Sequence, residues 1–223
     1  MLAIFLLQTQ TQSPDLSKWI YPTAPAIVAP KVTVDAKAAP DLQEWGDKAA
    51  ILATEWFPHV TQLLSTQNWK PAKTLRLVFR LKQDAPAWCS GNEISISAEW
   101  VRKHPDDFGM IIHEMTHFVQ SYPGNKSDTG WLVEGIADYI RWWRFEPESP
   151  RSRINFEKAS YRDAYRTTAY WLAWVSAKYN RNLVPALDLN LRNAEDPIPT
   201  FAKLTGKEPQ ALWDEFRAAT EKK

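Results

Sequence analysis

The sequence predicts an α+β fold, with a small, mostly antiparallel N-terminal sheet followed by a helical C-terminal half. Three observations carry this reading. Alternating apolar and polar runs fall before residue 100, apolar residues recur at three- and four-residue steps after residue 107, and no internal repeat interrupts that order. Hydrophobic residues make up 44% of the 223 and charged residues 24%, which is globular composition with enough chain for a large core.

The elements follow in order. Leu2 to Leu7 is an apolar run with no Lys or Arg before it, far too short to span a membrane, and reads as the tail of an export signal. Gln8 to about Pro40 holds Pro14, Pro22, Pro25, Pro30 and Pro40, which predicts an extended arm with one strand at Lys31 to Val34. The chain therefore divides into a leader and Pro-rich arm at 1–30 and one domain at 31–220. From Asp41 to about Ser65, Leu42, Trp45, Ala49, Leu52, Trp56, Val60 and Leu63 mark a long amphipathic helix, with a kink expected at Pro58. Leu75, Leu77 and Phe79 alternate with Arg76 and Arg80, predicting a strand over Thr74 to Leu81. A second strand, Glu93 to Ser97, is entered through the turn Cys89-Ser90-Gly91-Asn92.

After His104-Pro105-Asp106-Asp107, whose proline and acids suit a first turn, a helix should run to about Gln120. A polar Gly/Pro loop leads to a helix over Trp131 to Phe145, and a loop with Pro147 and Pro150 leads to one over Tyr161 to Tyr179. Shorter helices are expected at Leu183 to Arg192, Ile198 to Leu204 and Pro209 to Thr220.

Lys+Arg 27 against Asp+Glu 26 leaves a net charge of +1, which argues against a general electrostatic grip on nucleic acid or anionic membrane. A single cysteine, Cys89, excludes an internal disulfide, a CxxC pair and a Cys-rich zinc site. Twelve Trp against seven Gly points to large aromatic core pieces and to rings that could line a groove.

The chemistry is carried by His113-Glu114-Met115-Thr116-His117, an HExxH motif inside a predicted helix. Residues four apart share a helix face, so both imidazoles can point at one Zn²⁺. Glu114 then stands where it can hold a water on the metal and take its proton. Ile111, Ile112, Phe118 and Val119 make the helix largely buried, and two histidines and a glutamate buried without a metal would be costly. A catalytic zinc usually takes three protein ligands, and the downstream candidates for the third are Asp128, Glu134 and Asp138. Glu134, 17 positions after His117 in Glu134-Gly135-Ile136-Ala137-Asp138, is the favoured ligand. Asp138, one turn on, suits the outer N–H of a ligating His. Gly135 and Ala137 are small enough to let this helix approach the metal helix closely.

HExxH followed by ExxxD resembles the gluzincin metallopeptidases. More closely, His113 to Gln120 with Glu134 to Arg141 resembles the plant basic secretory protein family and its bacterial relatives. Ser160 to Leu172 is similar to a helix that follows the metal site in that family, and Leu204 to Phe216 to its terminal helix. The resemblance runs from roughly Val32 to Phe216. It implies a secreted or periplasmic, zincin-like zinc peptidase, acting on peptide or protein substrates as a monomer with no transmembrane segment. The near-neutral charge departs from the family's basic character. In neighbouring gluzincin-like enzymes a Tyr or His from a later helix steadies the oxyanion. His59 and His104 precede the motif, so that role is expected of Tyr165, with Tyr161 as the alternative. Strand Glu93 to Ser97 is a candidate edge strand for an extended substrate. A rival reading is a Trp-rich glycan- or cell-wall-binding module whose zinc is structural, although Glu114 inside the motif would then have no use.

Overall fold

A computed structural model of the chain describes residues 27–64, 66, 68–124, 128–150 and 153–221. The export-signal run Leu2 to Leu7 and most of the Pro-rich arm lie outside the described residues. The elements are β1 (Lys31–Asp35), α1 (Gln43–Leu63), β2 (Thr74–Arg80), β3 (Ala87–Ser90), β4 (Glu93–Ser97), α2 (Ala98–Lys103), α3 (Gly109–Gln120), α4 (Gly130–Ile140), α5 (Tyr165–Lys178), α6 (Leu183–Arg192), α7 (Ile198–Thr205) and α8 (Pro209–Thr220). The fold is α+β, a four-stranded sheet followed by a helical C-terminal half, as the order of periodicities predicts.

The expectation of a mostly antiparallel sheet is corrected. Strand order is β1-β2-β4-β3; β1–β2 and β2–β4 are parallel, and β3–β4 alone among the described pairs is antiparallel. Helix α1 carries the chain back between β1 and β2, so the two run the same way. The short strand β3, which the sequence reading takes for a turn, then occupies the outer edge, and β4 returns between it and β2. Register Leu77↔Ile94 and Phe79↔Ile96 puts the apolar residues of both strands on one buried face. On the other face Arg76 and Arg80 both donate to Glu93, at 2.9 and 2.6 Å. A half-solvated sheet of this kind requires that alternation.

Helices α1 and α3 cover the apolar face. Trp45, Ala49, Ala53, Phe57 and Val60 turn inward from α1, which continues through Pro58 to Leu63. The Trp45 indole donates to the Pro105 carbonyl at 2.7 Å and stacks on Phe108 at 4.7 Å, pinning the turn from which α3 departs. Helix α4 packs on α5 through Gly135, where a Cβ would meet Thr168 Cγ2 at 2.2 Å. The small residue therefore serves the α4–α5 contact rather than the α3–α4 contact expected of it. The predicted helix to Phe145 ends in a wider π turn, Arg141–Phe145. Helix α5 starts four residues later than predicted, at Tyr165, because Ala164 and Tyr165 take left-handed φ values of 61° and 42°. The buried apolar residues form one cluster, with Trp171, Phe201 and Phe216 at its C-terminal end. No described helix is long and apolar enough to cross a membrane.

Candidate metal centre and cleft

Helix α3 presents His113 and His117 one turn apart, and α4 presents Glu134 and Asp138 one turn apart against them. His113 Nε2, His117 Nε2 and Glu134 Oε2 converge, with separations of 3.0, 3.2 and 3.4 Å. Tetrahedral ligands at zinc–nitrogen or zinc–oxygen lengths of about 2.0–2.2 Å stand roughly 3.3–3.6 Å apart. The triangle is slightly tighter, with the His117–Glu134 separation inside that range and the other two just short of it.

The outer ring atoms decide the tautomers. His113 Nδ1 lies 2.7 Å from Asp138 Oδ1, which can only accept when ionised. His117 Nδ1 lies 2.7 Å from Gln120 Oε1, and the Gln120 amide nitrogen is committed to the Val133 carbonyl at 3.0 Å. Both Nδ1 atoms therefore donate, and in the neutral rings both Nε2 atoms carry bare lone pairs. Two lone pairs and a carboxylate oxygen facing one another need a cation between them. In a protein without metal, a proton takes that place. Burial opposes charge on His113, but the hydrogen bonds to Asp138 and Glu134 outweigh it and raise its pKa to about 9. Burial likewise opposes charge on Glu134, and the two histidines overcome it, lowering its pKa to about 2. His113, His117 and Glu134 are thus a group that could hold a metal ion. The exposed Asp128 lies outside it, and Asp138 reaches the group through the His113 ring.

These residues floor a cleft of about 840 Å³. Its walls are the segment Ala85–Cys89, reaching into β3, the α3 and α4 site residues, and Asp163–Thr167 at the start of α5. Glu114 is buried in it, and burial raises its pKa against the pull of His113 and His117. A backbone hydrogen bond from Cys89 favours the Glu114 carboxylate and ties the metal helix to β3. The Cys89 thiol is pushed up to about 12 by burial and by the Glu114 charge, so it stays protonated.

Tyr165 stands in the cleft, 55% exposed, its ring 6.2 Å from the His113 ring and nearly parallel to it. The nearby Glu134 charge raises its pKa, which keeps the phenol a donor. Tyr161 packs instead between Trp131 and Trp171, at 5.4 and 5.0 Å. His59 and His104 are exposed and lie against Trp56 and Trp100.

The candidate edge strand is also corrected. Glu93–Ser97 is paired on both sides, to β2 and β3, and the edges of the described sheet are β3 on that side and β1 on the other. Sequence reasoning also missed Gln120 as the partner of His117, although three positions on the same helix face was the available signal. Nothing local announced the Cys89 contact, which depends on how the sheet is ordered.

No curated protein and no solved structure matches the chain. A family model described as peptidase of plants and bacteria matches residues 41–216, from the start of the first helix to Phe216 in the last. That span includes the metal group and the whole cleft, and the chain belongs to this peptidase family, the basic secretory proteins.

Proposed function

We propose that the chain is a secreted or periplasmic zinc metallopeptidase of gluzincin type, acting as a monomer on peptides or proteins. One observation carries the metal reading: two imidazole lone pairs and the Glu134 carboxylate converge within 3.0–3.4 Å of one another, with both outer ring N–H groups already committed. His113, His117 and Glu134 would hold the ion. Zinc, when bound, supplies a Lewis acid that makes water nucleophilic at neutral pH and draws charge from the scissile carbonyl.

The chain's own residues supply the rest. Glu114, whose pKa burial raises, takes the proton of the attacking water and delivers it to the leaving amine. Tyr165 donates its phenol hydrogen to the carbonyl oxygen as negative charge grows there. An extended substrate adds to the outer edge of β3, whose Cys89 backbone is tied to Glu114. Asp138 and Gln120 hold the imidazoles in the tautomer that leaves both Nε2 atoms bare. Export is supported by the apolar run Leu2 to Leu7. The Trp-rich module finds less support, since Trp88 is the one tryptophan that stands exposed among the described residues.

Digestion of a random peptide library by zinc-loaded protein tests the proposal, with Glu114→Gln as control. Cleavage that disappears in Glu114→Gln while zinc content stays at one per chain is the expected result. Equal cleavage by both proteins, or full zinc occupancy in His113→Ala, sinks it.

A further inference from the structure

A second cavity, of about 240 Å³, lies between the π turn, the loop that precedes α5 and α5 itself. Trp142, Asp163, Arg166 and Thr167 line both this cavity and the metal cleft, so the two share a wall. Pockets for whole small ligands run to about 300–1,000 Å³, so this one has the size for a single side chain. Its walls are aromatic: Trp143 and Tyr170 lie 5.3 Å apart, and the Arg166 guanidinium covers Trp142 at 3.8 Å. Its charge is one-sided. Arg153, Lys158 and Arg166 line it against one acid, Asp163, among the described residues. The Asp163 carboxylate accepts from the Ser160 backbone N–H at 3.0 Å, which holds it toward its own loop.

We infer that this cavity seats an acidic side chain of the substrate, glutamate being the ordinary case, next to the bond that Glu114 serves. The inference rests on the peptidase reading above and names the substrate class for it. Methylenes pack on indole and phenol faces, while the carboxylate ends among cations whose field the low-dielectric aromatic walls concentrate. A lysine in the same place meets like charge, and an uncharged chain of the same shape leaves the cations where they were. The pocket therefore discriminates by charge first and by size second.

Calorimetry with zinc-loaded Glu114→Gln protein reads this without turnover. The probes are three end-blocked Ala/Ser peptides that differ at one central position, carrying Glu, Gln or Lys. The Glu peptide should bind roughly tenfold more tightly than the Gln peptide, the scale of two or three exposed ion pairs together, and the Lys peptide most weakly. Arg153 and Lys158 are exposed, so Arg153→Glu with Lys158→Glu leaves the core untouched, and it should abolish or reverse the order. Equal affinities for the three peptides, or a Glu preference that survives the double reversal, overturn the inference. Wild-type digestion of the same peptides separates the two readings. Cleavage of all three at one rate keeps the peptidase and removes the acidic pocket. Charge-ordered binding with no cleavage by wild type keeps the pocket and removes the peptidase.

Discussion

Each residue of the candidate metal site has a separate place in it, and substitutions can address these one at a time. Asp138 does not meet the other ligand atoms; it fixes the His113 ring through Nδ1 at 2.7 Å. Asp138→Asn should therefore keep a metal site but weaken zinc affinity by roughly 10–100-fold, as measured by competition with a chromophoric chelator. If Asp138→Asn abolished binding while Glu134→Gln preserved it, the two assignments would have to be exchanged. Tyr165 calls for a different readout. Its ring is half out in solvent, so Tyr165→Phe should leave zinc content and melting temperature alone while kcat falls about 10²-fold with little change in KM. Near-normal kcat would end the oxyanion role, and Tyr161, wedged between two tryptophans, is poorly placed to inherit it. The sequence shows this scale well where spacing on a single helix decides. His113 with His117, and Glu134 with Asp138, are each one turn apart, and a turn is readable from the chain alone.

Helices and strands were legible as segments but not as neighbours. Period two marks β2 and β4, yet it says nothing of direction or order, and β3 is too short to show any period. The parallel pairing and the edge position of β3 follow from the α1 crossover and from β4 inserting inside β3, both matters of long-range topology. Gly135 makes the same point. Its smallness was visible, but its partner proved to be Thr168 on α5, whose methyl would stand 2.2 Å from an added Cβ. Thr168 is fully buried and its hydroxyl donates to the Tyr161 carbonyl at 2.7 Å, so its side chain is not free to swing away. Gly135→Ala should overpack the α4–α5 contact at a cost of about 1–3 kcal/mol, offset by up to roughly 1 kcal/mol of helix propensity. Denaturant titration should show the net loss, and adding Thr168→Ser, which removes the methyl and keeps the hydroxyl, should recover part of it, because the Cβ at position 168 would still stand 2.7 Å from the added one. A Gly135→Ala protein more stable than wild type would mean that the helices can part without cost.

For the whole molecule, the candidate metal centre makes stability a function of pH, and the sign can be worked out from its titrating groups. Consider the protein stripped of metal by a chelator. The pKa of His113 rises from its ordinary 6.5 to about 9 in the folded state, so its contribution is complete below 6.5 and is lost as pH climbs to 9. The pKa of Glu134 falls from 4.5 to about 2, so its contribution is complete above 4.5 and is lost as pH falls to 2. Burial raises the pKa of Glu114 from 4.5, so its contribution is complete below 4.5 and starts to be lost just above it, tilting the stable interval toward its acid end. The stripped protein should therefore be most stable between pH 4.5 and 6.5 and weaken in both directions. Zinc, if bound there, would change the alkaline limb, because the cation would take the place of the proton that His113 otherwise releases. It needs neutral imidazoles, so its own contribution grows as pH rises and fades below about pH 6. Melting temperatures of stripped and zinc-loaded protein should then converge in acid and separate progressively above pH 6.5. Neutralising the Nδ1 partner with Asp138→Asn should leave the onset of weakening near pH 6.5 but shrink the loss and end it at a lower pH, since less holds the proton on His113. A stripped protein that gained stability from pH 6.5 to 9 would show that the neutral pair is the favoured one, and the proton-for-metal exchange at His113 would have to be abandoned.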